Sequence, residues 1–295
     1  MEKSAYPAFL GLDITPASYD EARIHIIPVE MEKSVSYGSG TAAGPRAILE
    51  ASLQLEAFDG SAVPGQAGMH THKPLPCRSA AVEHDLDAIA AEVAGVLNKK
   101  GLPVILGGEH TVTLGALRPF AAGNKRVGVV QFDAHADLRE SYGGNRFSHA
   151  CVMRRVHEMG LPFVQIGVRS LCQEEDRFRR GHNIVCLDAE QIYRGGIPAA
   201  PLPDDFPEQI YITFDVDCFD AALMPATGTP EPGGLNWYQA MDLLGAVCRG
   251  RQLCGFDVVE LAPIPALHGP DYTAAKLVYR LIGLAVSAEK QPGKQ

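Results

Sequence analysis

Long hydrophobic runs are missing from this sequence, and no stretch approaches the roughly 18 uncharged apolar residues that a membrane-crossing helix needs. Basic charge is also scarce, with 26 Lys plus Arg against 35 Asp plus Glu and a formal net charge of −9. That balance argues against nucleic acid as a partner, because binding a phosphate backbone takes clustered Lys and Arg. It suits a small cationic ligand. Met1 to Pro7 has no apolar segment with a basic flank, so no secretory leader is expected and a cytoplasmic location is. The seven cysteines include no C-x-x-C pair and sit mostly in apolar segments, which predicts buried, reduced thiols. No internal repeat, low-complexity tract or interdomain linker is visible. A single domain over residues 1–295 is therefore expected, close to the size limit of one continuous core.

What the chain does contain is an alternation of two patterns. Nearly continuous apolar runs at 22–29, 103–106, 127–133, 163–168, 184–187, 210–215 and 255–259 predict strands covered on both faces. Helical spacing fills 45–55, 86–98, 113–120, 150–159, 238–249 and 272–286. Strand and helix in regular alternation predict an α/β fold with a parallel sheet between helices. Such sheets bind ligands beyond the carboxyl ends of their strands. Segments 60–79, 198–207 and 289–295 are rich in Pro, Gly and polar residues and read as loops, the last as a frayed tail. His70-x-His72 lies in the first of these with no carboxylate near it in sequence, and is expected to be a pair of surface histidines.

At the predicted ligand edge stand Gly107-Gly108-Glu109-His110, Asp133-Ala134-His135-Ala136-Asp137 and Asp215-Val216-Asp217. In extended backbone, residues i, i+2 and i+4 point the same way, so Asp133, His135 and Asp137 can converge, as can Asp215 and Asp217. A lone Asp at a strand end is commonly a turn cap. D-x-H-x-D after one run and D-x-D after another, with His110 beside them, is a different pattern. Four carboxylates brought together repel one another unless a multivalent cation lies among them. Six side-chain ligands exceed the needs of one tetrahedral zinc and include no thiolate, since Cys218 should face away from Asp217. Two metals fit better, and the oxygen-rich set suits Mn2+, with nickel, iron and cobalt left open. Two divalent ions about 3.5–4 Å apart would generate a bridging hydroxide from water, which implies hydrolysis. A dinuclear phosphatase is disfavoured by the lack of an Asn-His motif and of an Arg cluster beside these loops. A phosphate loop is disfavoured because G-x-x-x-x-G-K is absent. Gly107 and Gly108 are expected to let the backbone approach the metals closely.

Together with Ser148-His149-Ala150, the run from Thr227 to Gly234, Gly44-Pro45-Arg46-Ala47-Ile48 and Asp257-Val258-Val259-Glu260, these motifs span nearly the whole chain. They resemble the ureohydrolases of the arginase and agmatinase family, the agmatinases most of all. The resemblance implies a three-layer α-β-α sandwich around a mostly parallel sheet of about eight strands, a centre of two Mn2+ per subunit, and a homo-oligomer, trimer or hexamer. It implies one metal on His110, Asp133, Asp137 and Asp215 and a second on His135, Asp133, Asp215 and Asp217. His149 would be the acid/base histidine, Glu260 would grip the guanidinium, and Asp137 would accept a hydrogen bond from the hydroxide. The implied reaction releases urea from a small cationic guanidino substrate, most simply agmatine, leaving putrescine. Arginases typically place Asn and Ser after the D-x-H-x-D motif to bind an amino acid. The run from Leu138 to Phe147 departs from that pattern. Guanidinobutyrate, N1-aminopropylagmatine and arginine remain alternative substrates, and an inactive homologue serving as a structural or regulatory subunit is the non-enzyme alternative. Glu140 could meet a substrate ammonium, whereas Arg139 and Arg146 could pair with a carboxylate.

Overall fold

In the computed structural model, which describes residues 6–123 and 126–288, the apolar runs become strands of one sheet. These are β1 (Ile24–Val29), β2 (Met69–Thr71), β3 (Leu102–Gly107), β4 (Val127–Phe132), β5 (Phe163–Ile166), β6 (Val185–Leu187), β7 (Gln209–Asp215) and β8 (Gln252–Val259). Their order is β2-β1-β3-β8-β7-β4-β5-β6, and every pairing is parallel. The helices are α1 (Gly44–Ser52), α2 (Val82–Asn98), α3 (Val112–Ala121), α4 (Val152–Glu158), α5 (Gln173–Gly181), α6 (Ala189–Gly195), α7 (Trp237–Cys248) and α8 (His268–Ala288). None of them is long and apolar enough to cross a membrane.

Alternate residues of each strand serve opposite faces, as extended backbone requires. Ile24, Ile26, Val104, Leu106, Val130 and Phe132 join one core, beneath α1, α7 and α8. Their neighbours Ile27, Val29, Ile105, Val127 and Val129 join a second core, with Leu86 and Ile89 of α2, Leu114 of α3 and Val152 of α4. Both faces of the sheet are thus covered, which is why the strands read as unbroken apolar runs rather than as alternating ones. The α/β sandwich predicted from the sequence is the observed architecture, with eight strands among the described residues.

Three short elements escape the periodicity. β2 lies inside the segment expected to be a loop, because a three-residue edge strand flanked by Gly and Pro carries no apolar pattern and is defined only by its pairing with β1. α5 (QEEDRFRRG) buries only Glu175 and Arg179, so it has no apolar stripe, and it is held instead by acids in its first turn and arginines in its last. α6 is brief and buries only Ala189 and Ile192. The expected tail at 289–295 lies outside the described residues.

The role expected for the glycine pair needs correction. A Cβ on Gly108 would overlap the carbonyl oxygen of Met31, and one on Gly107 would lie 2.6 Å from Val112 Cγ2 and 2.7 Å from Val259 Cγ1. The close approach is therefore between the turn after β3 and the chain after β1, not between the backbone and the metal ligands. It is locked by Gly108 N–H donating to Val29 O and Glu109 N–H donating to Met31 O. Gly108→Ala is expected to lower unfolding free energy by about 1–3 kcal/mol, measured by urea denaturation. A midpoint equal to that of the unmodified protein would contradict this packing.

Candidate metal centre

The sequence-predicted site residues come together because their strands are neighbours. β3, β8, β7 and β4 are consecutive in the sheet. His110 follows β3, Glu260 follows β8, Asp215 ends β7 with Asp217 in the turn beyond it, and Asp133, His135 and Asp137 follow β4. The four carboxylates of the cluster and His110 are all buried, and His135 is partly open. Asp137 and Glu260 take φ of +52° and +66°. Left-handed backbone is uncommon for residues with a Cβ and clusters at functional sites, and here it belongs to two of the residues singled out from sequence.

His110 supplies the test of fit to a metal. Its Nδ1 is surrounded by Asp137 Oδ2 at 3.0 Å, Asp133 Oδ2 at 3.2 Å and Asp215 Oδ2 at 3.7 Å, yet it makes no hydrogen bond and is fully buried. The other nitrogen, Nε2, lies 2.8 Å from Thr213 Oγ1, and Thr213 donates onward to Asp257 Oδ1 at 2.7 Å. Thr113 and Tyr211 donate to Asp257 Oδ2. With its only proton spent on Asp257, the Thr213 hydroxyl must accept from His110, so a neutral His110 turns its Nδ1 lone pair to three carboxylates; against burial, which lowers it, Asp133 and Asp137 hold the His110 pKa well above the ordinary imidazole value. The neutral arrangement is repulsive without a cation and is what a metal ligand requires. On the other side His135 Nδ1 lies 2.9 Å from Asp217 Oδ2 and 3.6 Å from Asp133 Oδ1. His110, Asp133 and Asp137 thus form one potential metal-binding group, and Asp133, His135 and Asp217 a second. Asp133 belongs to both and turns a different oxygen to each.

The electrostatics point the same way. Burial, then the charge of Asp133, push the Asp137 pKa up to about 7. Burial, then Asp217 and Asp133, push Asp215 well above the usual carboxylate range. Burial and Asp133 also raise Asp217. The protein has gathered acids where they resist ionising together, so positive charge is required among them.

His149 opens a short 3-10 turn rather than lying in α4. Its backbone N–H donates to Ser34 Oγ, and its Nδ1 stands 3.3 Å from Glu260 Oε1, leaving Nε2 buried and unpaired. Glu260 Oε1 also accepts from His110 N at 2.7 Å. Glu109 holds the 33–34 loop in place by accepting from Lys33 N and Ser34 N. A cavity of about 270 Å³ opens onto this cluster, with His135, Asp137, Asp215 and Asp217 in its floor and His149, Arg139 and Tyr142 in its wall. Glu260 does not line it. Glu140 and Arg146, considered from sequence for the substrate tail, are instead bound to each other at 3.1 Å, and Glu140 is also gripped by Arg154 at 2.8 Å. Arg139 does reach the cavity, with its guanidinium over the Tyr142 ring.

Sequence reasoning missed Thr213 and Ser34, and named Asp257 and Glu109 within motifs without giving them a role. For Thr213 a signal existed: it is a polar residue two positions before Asp215, on the same side of an otherwise apolar strand. Thr213→Val removes the acceptor for His110 Nε2. Metal affinity is expected to fall by about 10–100-fold, read by equilibrium dialysis against Mn2+, and an unchanged affinity would refute the chain from Asp257 to His110.

Comparison with known proteins identifies the family. The arginase family matches residues 22–283. An N(1)-aminopropylagmatine ureohydrolase of Synechocystis sp. is 37% identical over 276 residues, covering 90% of each chain. An agmatinase of Pyrococcus horikoshii is 32% identical over 280 residues, covering 93% of this chain and 96% of the relative. The crystal structure of an agmatine ureohydrolase of Thermoplasma volcanium superposes with a TM-score of 0.84 at 29% identity, covering 98% of this chain and 97% of that one. The chain belongs to the arginase family.

Proposed function

We propose that this chain hydrolyses agmatine to putrescine and urea in the cytoplasm, with one Mn2+ on His110, Asp133, Asp137 and Asp215 and another on Asp133, His135, Asp215 and Asp217. The observation that carries the reading is the buried Asp-His cluster beside His149 and Glu260, in a chain akin over most of its length to proteins named for agmatine and its aminopropyl derivative. The oxygen-rich donor set favours Mn2+ over zinc. When bound, the two ions would supply a hydroxide nucleophile at neutral pH.

The chain's own residues account for the remaining requirements. A guanidinium carbon is a poor electrophile because resonance spreads its charge, so the group must be held in one orientation. A carboxylate matches the forked N–H donors of a planar guanidinium, and Glu260 is the proposed partner. Once the carbon has accepted an oxygen, its bond to the nitrogen that carries the alkyl chain breaks, and that departing amine takes up a proton. His149 can donate it. Burial by itself would lower the His149 pKa, but its bond to Glu260 and the charge of Glu260 raise it, which favours a protonated imidazole near neutrality.

One observation favours a second reading. Arg139 is a cation in the cavity wall, 4.0 Å from the Glu175 carboxylate that shares the wall, and Glu140 is taken up by arginines, so a substrate ending in a carboxylate, such as guanidinobutyrate, would find a cationic partner there.

Purified protein loaded with Mn2+ should release urea from agmatine faster than from N1-aminopropylagmatine, guanidinobutyrate or arginine. Preference for guanidinobutyrate would establish the second reading, and no urea from any of them would sink both. His149→Ala is expected to lower kcat by about 10²–10⁴-fold with both metals retained; a smaller loss would remove His149 from proton transfer.

A further inference from the structure

His70 and His72, expected from sequence to be surface residues, belong to a second cluster at the opposite end of the sheet. His72 is 9% exposed and His25, near the start of β1, is fully buried. His25 is the register partner of His70, and His72 lies two residues beyond, so all three imidazoles share a face of the sheet edge. Their rings are 5.1–6.1 Å apart, with Tyr19 edge-on to each. The carboxylate that the sequence lacks nearby is brought by α2: Glu92 Oε2 stands 3.3 Å from His72 Nδ1.

Proton bookkeeping shows what this cluster is short of. His25 Nε2 lies 3.1 Å from Ala22 O, a carbonyl that can only accept, so the His25 proton is on Nε2. Its Nδ1 is then bare and accepts from His72 Nε2 at 3.0 Å. That leaves His72 Nδ1 bare, with its lone pair facing the Glu92 carboxylate. His70 Nδ1 donates to Ala17 O, so His70 Nε2 is bare as well. Burial, then a neighbouring imidazole, push His25 and His72 down to about 4, so both are neutral at pH 7. With His72 neutral in this tautomer, its Nδ1 and the Glu92 carboxylate, 3.3 Å apart, share no proton, and the third bare donor, His70 Nε2, lies on the same face but not within 4.8 Å of both. Lys99, the nearby cation, lies over the Tyr19 ring and is paired with Asp20.

We propose that His70 Nε2, His72 Nδ1 and the Glu92 carboxylate bind a zinc ion that ties edge strand β2 to α2, separate from the dinuclear centre. Neutral imidazoles with one carboxylate suit zinc. In a tetrahedron with bonds of about 2.0–2.1 Å, neighbouring ligand atoms lie about 3.3 Å apart and the centres of two coordinated imidazoles roughly 5 Å apart. The distance from His72 Nδ1 to Glu92 Oε2 is 3.3 Å, and the His70 and His72 ring centres are 5.1 Å apart. His25 is not a ligand. By accepting from His72 Nε2 it fixes the tautomer that leaves Nδ1 free, the role an outer carbonyl or carboxylate plays for many metal-bound histidines. The three donor atoms are not gathered within 4.8 Å as those of the dinuclear centre are. Closure falls to the side chain of Glu92, which is 42% exposed and can swing on its helix, and to His70.

The test is to dialyse Mn2+-loaded protein against Zn2+ and count bound ions by elemental analysis, beside His70→Ala, His72→Ala and Glu92→Gln. The unmodified protein should hold one ion per chain more than either histidine variant. Glu92→Gln, a surface change that should not disturb folding, should weaken this ion at least tenfold. Urea release by the Mn2+-loaded protein should be the same in all three variants, so loss of the zinc site is distinguishable from failure of the hydrolase reading. The proposal is overturned if no ion binds beyond those of the dinuclear centre, or if the additional zinc is retained with equal affinity in all three variants, which would place it elsewhere.

Discussion

Carboxylates packed away from water are tolerable only if positive charge lies among them. Asp133, Asp137, Asp215 and Asp217 are buried at the ends of two adjacent strands, where burial and mutual repulsion raise the pKa of all but Asp133. Most of the molecule can be read as the means of holding that unfavourable arrangement. The parallel sheet aligns the carboxyl ends of β3, β8, β7 and β4 side by side, and the two apolar cores fix those strands from above and below. A stable interior can carry locally costly features of this kind, including the left-handed backbone of Asp137 and Glu260.

Behind the cluster stands a second layer of polar contacts, buried except at Ser34, in which Glu109 Oε1 and Gln165 Oε1 are left unpaired. Asp257 collects three hydroxyl donors and, through Thr213, directs His110. Gln131 donates to Asp133 Oδ2 and is held in turn by Gln165. Glu109 and Ser34 do for His149 what Thr213 does for His110, by fixing a loop rather than a ring. Groups left unpaired after this accounting fall at His110 Nδ1 and His149 Nε2, among others. These two belong to the residues proposed to bind metal and move the proton.

The same accounting separates the two histidine clusters by accessibility to sequence reasoning. D-x-H-x-D and D-x-D were legible because period-2 geometry makes each motif converge within its own strand end. His70-x-His72 looked inert because its carboxylate is 20 residues away on a helix and its third imidazole belongs to a different strand. Loop residues 138–147 show the converse. Their charges suggested contacts with a substrate tail, yet Arg139 alone of the three reaches the cavity, while Glu140 is paired with Arg146 and with Arg154 and Arg155 of α4.

By itself the sequence determined the alternation of strands and helices, the burial of the sheet on both faces, and the residue types at each strand end, because periodicity and local geometry act over a few residues. Short elements without an apolar pattern, such as β2 and α5, escaped it, since pairing and charge rather than periodicity hold them in place. Tertiary structure alone decided strand order, and with it which four strand ends meet. It also decided that Gly108 serves a backbone crossing at Met31, that Asp257 reaches His110 through Thr213, and that Glu92 meets His72. Each of these is a contact between segments far apart in sequence, and no local spacing encodes it.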